Sequence, residues 1–223
     1  MTASAAVQLI EQSFAAPEGI LKFGSFTLKS GRQSPYFFNF GAFNNGELLL
    51  SLASAFADTI LREYPQIGLS DGEPTVLFGP AYKGIPLVAS ISTELARRGR
   101  NVGFAYNRKE AKTHGEGGSI VGVNLAQKKV LIIDDVITAG TAIREAHALV
   151  TAAEGEVAGI VEALDREERG HGDKSTVQEI ADTLSVRVTS VVKLNDIIGW
   201  LEKAGKREEL AAMQAYRAEY GVL

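Results

Sequence analysis

The stretch 130–142, with the sequence VLIIDDVITAGTA, constrains this chain more than any other. Four apolar residues, 130–133, predict a buried strand, and two carboxylates, Asp134 and Asp135, follow at its end. A small hydroxyl-rich turn, 138–141, then leads into a helical pattern. A helix N-terminus presents free N–H groups to a phosphate, and carboxylates accept hydrogen bonds from ribose hydroxyls or hold a hard cation. The stretch therefore predicts a site for a phosphorylated sugar.

An ordinary connection or a nucleotide-binding loop fits this stretch less well. A strand-to-helix connection capped by threonine accounts for one hydroxyl, but not for two acids directly after an apolar strand, where unpaired charges are costly. The glycine patterns of dinucleotide and nucleoside triphosphate sites are absent from the sequence, since no G-x-G-x-x-G follows a strand and no G-x-x-x-x-G-K-[ST] occurs. The phosphorylated-sugar site is the interpretation that the whole stretch supports.

Strand, loop and helix patterns alternate through the middle of the chain. Such alternation is typical of an α/β fold with a mostly parallel sheet flanked by helices, and ligands bind at the carboxyl ends of the strands in such sheets. Three polar loops, 79–84, 107–118 and 134–141, follow strands, so we expect them to meet at one rim. The predicted elements are a helix at about 46–63, a strand at 75–78, a helix at about 85–98, strands at 102–106, near 119–123 and near 129–133, a helix at about 140–153 and a strand at 157–164.

Residues 21–40 differ from this alternation and predict a β-hairpin, set apart from the alternating region. Phe37 and Phe38 are adjacent, so in a strand their side chains point to opposite faces. One of them can pack into the core while the other offers an aromatic face to a planar ring. A hairpin that only packs its aromatic side chains is the alternative. Lys29, next to the turn, either reaches the site or is solvated.

The segment 107–119, NRKEAKTHGEGGS, concentrates cations on a glycine-rich stretch without periodicity, which predicts a mobile loop. Its cations are Arg108, Lys109, Lys112 and His114. Cations on a flexible loop suit a diphosphate leaving group, because they can close over it and exclude water. Taken alone, a solvated surface loop is favoured, since Glu110 and Glu116 dilute the charge. Beside the acidic stretch, the first interpretation is favoured.

Two further loops also follow predicted strands. In GPAYKG, 79–84, the bounding glycines allow a close backbone approach to a ligand, and Lys83 adds a cation. A simple turn is the alternative. In LDREERG, 164–170, the planar guanidinium of Arg166 suits a carboxylate. An exposed arginine paired with an adjacent acid explains that segment equally well.

Length and composition indicate one globular domain. The chain has 223 residues, no cysteine and a formal net charge of −4, which excludes disulfides and thiolate sites and gives no reason to expect nucleic-acid binding. The N-terminus lacks the features of a signal peptide, and Val7, Ile10 and Phe14 instead predict an amphipathic helix. No run of roughly 18 apolar residues predicts a membrane span. We therefore expect a cytoplasmic protein.

These segments together resemble the type I phosphoribosyltransferases, and among them the orotate phosphoribosyltransferase family. The stretch 130–142 resembles the site for phosphoribosyl pyrophosphate (PRPP) that the wider family shares. The segments 21–38 and 107–118 resemble the orotate-specific members. The resemblance covers about 21–170.

The resemblance implies a fold, a metal and an assembly. The fold is a single domain, 1–223, with a core at about 46–192 and a small hood formed by about 20–42 and part of the C-terminal region. Mg²⁺ is held mainly through PRPP rather than by protein ligands, as is usual for this ion. The partners are the two substrates and a second copy of the chain, whose site the loop 107–119 reaches; neither nucleic acid nor a membrane is implied.

The resemblance also implies a reaction and residue roles. Ribose 5-phosphate passes from PRPP to orotate, which gives orotidine 5-phosphate and pyrophosphate in pyrimidine synthesis. The implied catalytic residues are Asp134, Asp135, Lys112 and His114. The implied PRPP-binding residues are Lys29, Tyr82, Lys83, Arg108, Lys109, Lys112, His114, Asp134, Asp135, Val136, Ile137, Thr138, Ala139, Gly140, Thr141 and Ala142. The implied orotate-binding residues are Phe37, Phe38, Thr138 and Arg166.

Two rival functions share part of these features. A purine or uracil phosphoribosyltransferase would have the acidic stretch but should lack the aromatic hairpin and the loop cations in this form. A non-catalytic regulator that senses PRPP should carry a DNA-binding domain or a basic face, and this sequence shows neither.

Overall fold

The computed structural model describes residues 4–28, 30–112, 118–170 and 172–222, with only the backbone at 111, 112 and 118. Over these residues the chain forms seven α-helices, one short 3-10 helix (Phe40–Ala42) and eight strands. The elements are α1 (Ala5–Ala15), β1 (Leu21–Thr27), β2 (Gln33–Phe38), α2 (Gly46–Glu63), β3 (Val76–Gly79), α3 (Gly84–Arg97), β4 (Gly103–Lys112), β5 (Gly118–Gly122), β6 (Lys129–Asp134), α4 (Thr141–Ala152), β7 (Glu156–Asp165), α5 (Thr176–Leu184), β8 (Val188–Lys193), α6 (Leu194–Lys203) and α7 (Arg207–Tyr220).

The main sheet has the strand order β5-β4-β3-β6-β7-β8. All neighbouring pairs are parallel except β4 and β5, which are antiparallel at one edge. A separate antiparallel hairpin pairs β1 with β2, and α7 packs against β2. The predicted α/β fold with a mostly parallel sheet and a small hairpin is confirmed.

The central strands are buried on both faces, as expected for a parallel sheet covered by helices. Alternate side chains enter two separate cores. Leu77 of β3 and Leu131 of β6 lie in the core formed with α1, α2, α3 and α6. Phe78 and Ile132 lie in the core formed with α4 and α5. The sheet is therefore fixed from both sides, and its carboxyl rim is free to carry polar loops.

Helix starts differ in whether a side chain caps them, and the starts of α3, α4 and α7 have no such cap. Side chains cap three others: the Asn45 side chain accepts the Leu48 N–H at the start of α2, Ser4 caps α1, and Ser175 forms a capping box with α5. By contrast, α4 begins after Gly140, which has no side chain to cap it. Because the first N–H groups of a helix have no partner within it, those of α4 remain to bind something else.

Two local expectations are modified by the structure. The amphipathic first helix is confirmed as α1, but Phe14 is mostly outside the core, against Trp200 and Phe23. The expected loop from residue 107 is wrong at its start, because β4 continues to Lys112. Antiparallel pairing with β5 gives the backbone N–H and C=O groups there their hydrogen-bond partners. The stretch can therefore be a strand although its side chains do not alternate between apolar and polar. Within the described part of the chain, no helix combines the length and apolar content needed to cross a bilayer.

Candidate active site

Asp134 and Asp135 lie at the carboxyl end of β6, and each residue is only 9% exposed. The Asp135 N–H donates to Asp134 Oδ1 at 2.9 Å. Lys83 Nζ donates to Asp135 Oδ2 at 2.6 Å. Burial, together with the neighbouring Asp135 charge, raises the pKa of Asp134 to about 6. The sequence predicted that two acids after an apolar strand need partners, and the structure supplies a lysine for one and a backbone N–H for the other.

The turn after the acids leaves most of its surface open to a ligand. Thr138, Ala139, Thr141 and Ala142 are exposed, while Val136 is half-buried. Gly140 is buried and has a φ of 73°, a conformation that favours glycine. A Cβ there would lie 2.5 Å from Ile180 Cδ1. The glycine therefore lets the turn pack against α5 while its neighbours stay exposed.

Glu162 lies beneath this turn and was not singled out from the sequence. It is fully buried in β7, where it pairs in register with Asp134 of β6. Its Oε2 accepts the Ile137 N–H at 2.9 Å, and its Oε1 accepts the Ser190 hydroxyl at 2.9 Å. The available signal was one acid in the otherwise apolar run 160–164.

The loop between β3 and α3 reaches the same rim. Lys83 bonds Asp135 from this loop, and the Ala81 N–H donates to Asn107 Oδ1 of β4 at 2.7 Å. The predicted convergence is therefore confirmed for the loops 79–84 and 134–141 and for Asn107 at the start of the third segment, whose residues 113–117 lie outside the described part of the chain. Tyr82 is 70% exposed.

The glycines that bound this loop have a different use from the one expected. They were predicted to allow a ligand to approach the backbone. A Cβ on Gly79 would instead lie 2.2 Å from the Gly84 carbonyl oxygen, and a Cβ on Gly84 would lie 2.5 Å from the Gly79 carbonyl carbon. The two glycines let the ends of the loop approach each other, and the approach of a ligand to this backbone stays a prediction.

Four predicted cations lie in the sequence segment 107–119, and the fifth is Lys29. Arg108 is half-buried on β4, and Lys109 is exposed beside it. Lys112 ends β4, but its side chain lies outside the described part of the chain. His114 and Lys29 lie outside the described residues altogether. Their roles remain predictions.

The two phenylalanines of β2 point to opposite faces, as predicted. Phe38 is buried and stacks on Phe40, with ring centroids 4.6 Å apart. Phe37 is 40% exposed and contacts Phe26, with centroids 5.7 Å apart. Phe37 is thus the one with a face available to a planar ring.

Arg166 is held by Glu168 in its own loop and by Ser34 and Tyr36 of β2. Its Nε donates to Glu168 Oε1 at 2.5 Å, and its Nη2 donates to Ser34 Oγ at 2.9 Å. The guanidinium also stands 4.4 Å from the centre of the Tyr36 ring. The alternative of an exposed arginine paired with an adjacent acid is wrong, because only 14% of the side chain is exposed and the acid is Glu168, two residues on.

Glu168 is the second group that the sequence did not reveal. Besides Arg166, it binds Arg32 Nη1 at 3.2 Å and the Tyr216 hydroxyl at 2.7 Å. Burial and the bond to Glu168 raise the pKa of Tyr216 to about 12, so its hydroxyl keeps its proton. Tyr216 belongs to α7, and its tertiary partner could not be read from spacing along the chain.

Comparison with known proteins is consistent with this arrangement. Residues 48–194 match the model of the phosphoribosyl transferase domain. An orotate phosphoribosyltransferase of Thiobacillus denitrificans is 52% identical over 210 residues, covering 94% of this chain and 95% of that protein. The chain belongs to the orotate phosphoribosyltransferase family. One from Acinetobacter baumannii is 49% identical over 209 residues, which is 93% of each chain.

A solved structure gives the same result as the sequence comparisons. The crystal structure of an orotate phosphoribosyltransferase from Francisella tularensis has a TM-score of 0.84 and 38% identity, covering 99% of this chain and 98% of that one. Membership of this family means that the protein is an enzyme of pyrimidine biosynthesis that acts on orotate. The similarity favours orotate over a purine or uracil acceptor, and an enzyme over a regulator.

Proposed function

We propose that the rim formed by Asp134, Asp135, Lys83 and the turn 138–141 binds PRPP and transfers its ribose 5-phosphate to orotate. The acid pair directly before an uncapped helix start is the observation that carries this proposal. Neutral N–H groups and hydroxyls at 138–141 suit the 5-phosphate. The two carboxylates beside them suit the ribose hydroxyls.

The acids also suit the chemistry at the anomeric carbon. Glycosyl transfer passes through an oxocarbenium-like transition state, which nearby carboxylates stabilise. With a pKa of about 6, Asp134 is mostly ionised at neutral pH. No covalent nucleophile and no strong base are needed, because orotate is already an anion.

The carboxylates of Asp134 and Asp135 suit a Mg²⁺ ion that is held mainly by PRPP. Among the described residues no group of three or more acids or histidines could form a metal cage. Asp134 and Asp135 are nevertheless hard oxygen donors at the rim, and Mg²⁺ is commonly bound through one or two carboxylates together with substrate phosphates. When bound, the ion neutralises the diphosphate leaving group, and these two acids are the residues that would hold it.

For the acceptor, we assign the orotate carboxylate to Arg166 and the pyrimidine ring to Phe37. The contacts of Arg166 with Glu168 and Ser34 use its Nε and Nη2. They fix the guanidinium plane and leave the Nη1 side for the carboxylate. We also assign Thr138 to the orotate contacts, as a residue shared with the PRPP turn.

For the leaving group, we assign pyrophosphate to Arg108, Lys109, Lys112 and His114, with Lys29 and Tyr82 as further PRPP contacts. We also propose a homodimer in which the segment 107–119 serves the neighbouring site. A groove between α2 and α3 supports an interface with a second copy, because its apolar lining, Leu49, Leu50, Ala53, Pro86 and Ala89, is flanked by polar residues that include Glu94 and Arg97. The cytoplasmic location stays a prediction.

One assay tests the proposed reaction. Protein, Mg²⁺ and PRPP are mixed with orotate, uracil, hypoxanthine or adenine, and pyrophosphate release is followed. We expect turnover with orotate and little with the other bases. Turnover with a purine and none with orotate would overturn the assignment. Omitting Mg²⁺ in the orotate arm is expected to abolish turnover.

A further inference from the structure

Glu162 is a buried acid in the middle of an apolar strand. Its neighbours along β7, Ile160, Val161, Ala163 and Leu164, are all buried. Burial raises the pKa of its carboxyl well above the ordinary value, and the charges of Asp165 and Asp134 add to that effect. An apolar residue here would avoid the cost of burying an acid. The stability of the sheet therefore does not explain why this position is an acid.

The contacts of Glu162 lead to the PRPP turn. Ile137 sits between the acids and the exposed residues of the turn, with its side chain buried in the core beside α4 and α5. A buried N–H without a partner is costly. Oε2 of Glu162 accepts that N–H at 2.9 Å, and thus allows the chain to leave the sheet at this residue.

The turn is anchored at three points, two of them on β7. The Asp135 carbonyl accepts the Ala163 and Leu164 N–H groups at 3.0 and 3.1 Å. The Ile137 N–H is held by Glu162, and Gly140 packs on Ile180 of α5. The residues between and after the last two anchors, Thr138, Ala139 and Thr141, are exposed. Their positions are therefore set by the anchors rather than by contacts of their own side chains with the core.

We propose that Glu162 is a positioning residue for PRPP: its carboxyl holds the Ile137 N–H and so places the groups at 138–141 that receive the 5-phosphate. The inference rests on the proposed function of that turn. Glu162 is fully buried and acts through the turn, without touching substrate itself.

Three variants separate positioning from general structure. Glu162→Gln keeps an acceptor for Ile137 and can donate to Ser190, so it should preserve the turn. Glu162→Met has a similar volume but no strong acceptor. Ser190→Ala removes the other hydrogen bond of Glu162 and leaves the Ile137 contact intact. KM for PRPP, KM for orotate, kcat and thermal unfolding are measured for each.

The expected result is a split between substrates. Glu162→Met should raise KM for PRPP by about tenfold, the scale of one buried hydrogen bond, with KM for orotate unchanged. Glu162→Gln should restore KM for PRPP to within about threefold of the parent. Ser190→Ala should leave both KM values unchanged. The proposal would be overturned if KM for PRPP rose equally in Glu162→Met, Glu162→Gln and Ser190→Ala. It would also be overturned if Glu162→Met left KM for PRPP unchanged.

Two further variants keep the test decisive. If Glu162→Met does not fold, Glu162→Asp replaces it, because its shorter side chain retains a carboxylate but does not reach Ile137. A raised KM for PRPP in the Asp variant and not in the Gln variant supports the proposal; equal values overturn it. Thr141→Val tests the turn itself. If it leaves KM for PRPP unchanged, the proposed placement of the 5-phosphate is wrong, whereas an effect there with none at Glu162 refutes only the positioning role.

Discussion

Lys83 Nζ lies 2.6 Å from Asp135 Oδ2 although 69% of the lysine side chain is exposed. The contact joins the loop after β3 to the acids after β6, and so links two neighbouring strands across the rim. Only the lysine end of this pair is exposed, since the Asp135 side chain is 12% exposed. The pair therefore both gives a buried carboxylate its cation and holds that cation at the rim.

Lys83→Met should impair both stability and PRPP binding. We expect the free energy of unfolding to fall by about 1–3 kcal/mol, because the buried Asp135 carboxylate loses its partner, while KM for PRPP rises by about tenfold or more because a cation proposed to face the phosphates is lost. Denaturant unfolding and steady-state kinetics measure both. Lys129→Met is the matched control, since Lys129 forms a 2.6 Å pair with Glu73 at the opposite end of β6 and should leave KM for PRPP unchanged. Equal KM values in the two variants would remove Lys83 from the site.

Asp134→Asn should stabilise the fold while abolishing activity. The folded-state pKa of Asp134 is raised from 3.8 to about 6, so above pH 6 the protein bears the cost of a buried charge. We expect a gain of roughly 1–3 kcal/mol near pH 8, because the asparagine is neutral and still accepts the Asp135 N–H. As pH falls from about 6 to about 4, the parent carboxyl becomes protonated and the gain should vanish. Unfolding curves at several pH values check this; a gain independent of pH would contradict the assignment of the pKa.

Phe37 and Phe38 should behave oppositely when each is changed to alanine. Phe38 is 6% exposed, so its loss should cost about 3–5 kcal/mol of stability. Phe37→Ala should cost much less stability but raise KM for orotate by about tenfold, because the exposed ring is lost. Thermal unfolding and orotate kinetics distinguish the two. If Phe37→Ala leaves KM for orotate unchanged, this ring does not border the base.

Arg166→Lys should impair the acceptor half alone. A lysine keeps the charge but loses the planar fork and its bonds to Glu168 and Ser34, so KM for orotate should rise by about tenfold or more with KM for PRPP unchanged. Tyr216→Phe, which removes one bond to Glu168, should give a smaller change in the same direction. Arg187→Lys is the control, because Arg187 pairs with Glu63 on the surface. A larger effect on PRPP than on orotate would be incompatible with the proposed role.

Mixing two inactive variants tests the shared site. Lys112→Ala should lower kcat far more than it weakens PRPP binding, because the loop is expected to act mainly in the transition state. Asp135→Asn should inactivate the other half of the site. If the loop serves the neighbouring subunit, mixed dimers contain one intact site, and an equal mixture should recover about a quarter of the parent activity. No recovery after subunit exchange would indicate that each chain supplies its own loop.

Much of the proposed donor half was predictable because its residues are continuous in sequence. The acids and the turn follow one strand, so the order along the chain reproduces their order in space, and α2 begins and ends where the apolar spacing predicts. Phe37 and Phe38 follow from the same local geometry, since adjacent residues in a strand face opposite ways.

Other features depend on partners that sequence order does not bring together. Glu162 meets Ile137 from 25 positions away, and Arg166 meets Ser34 from 132 positions away. The strand extension at 107–112 depends on backbone pairing with β5 rather than on side-chain pattern. Such contacts are fixed by tertiary packing. In the sequence they are indicated only by a charged residue where its neighbours do not explain it, such as an acid within an apolar strand.

The hydrogen bonds that hold Arg166 affect when, during synthesis, the chain can become specific for orotate. The anchors of Arg166 are spread from Ser34 on the early hairpin to Tyr216 near the end of α7. The turn proposed to receive the sugar needs α5, whose Ile180 packs on Gly140, whereas the proposed base site must wait for α7. Contacts between distant parts of a chain form late. A nascent chain is therefore expected to become able to bind PRPP before it can select orotate over other bases.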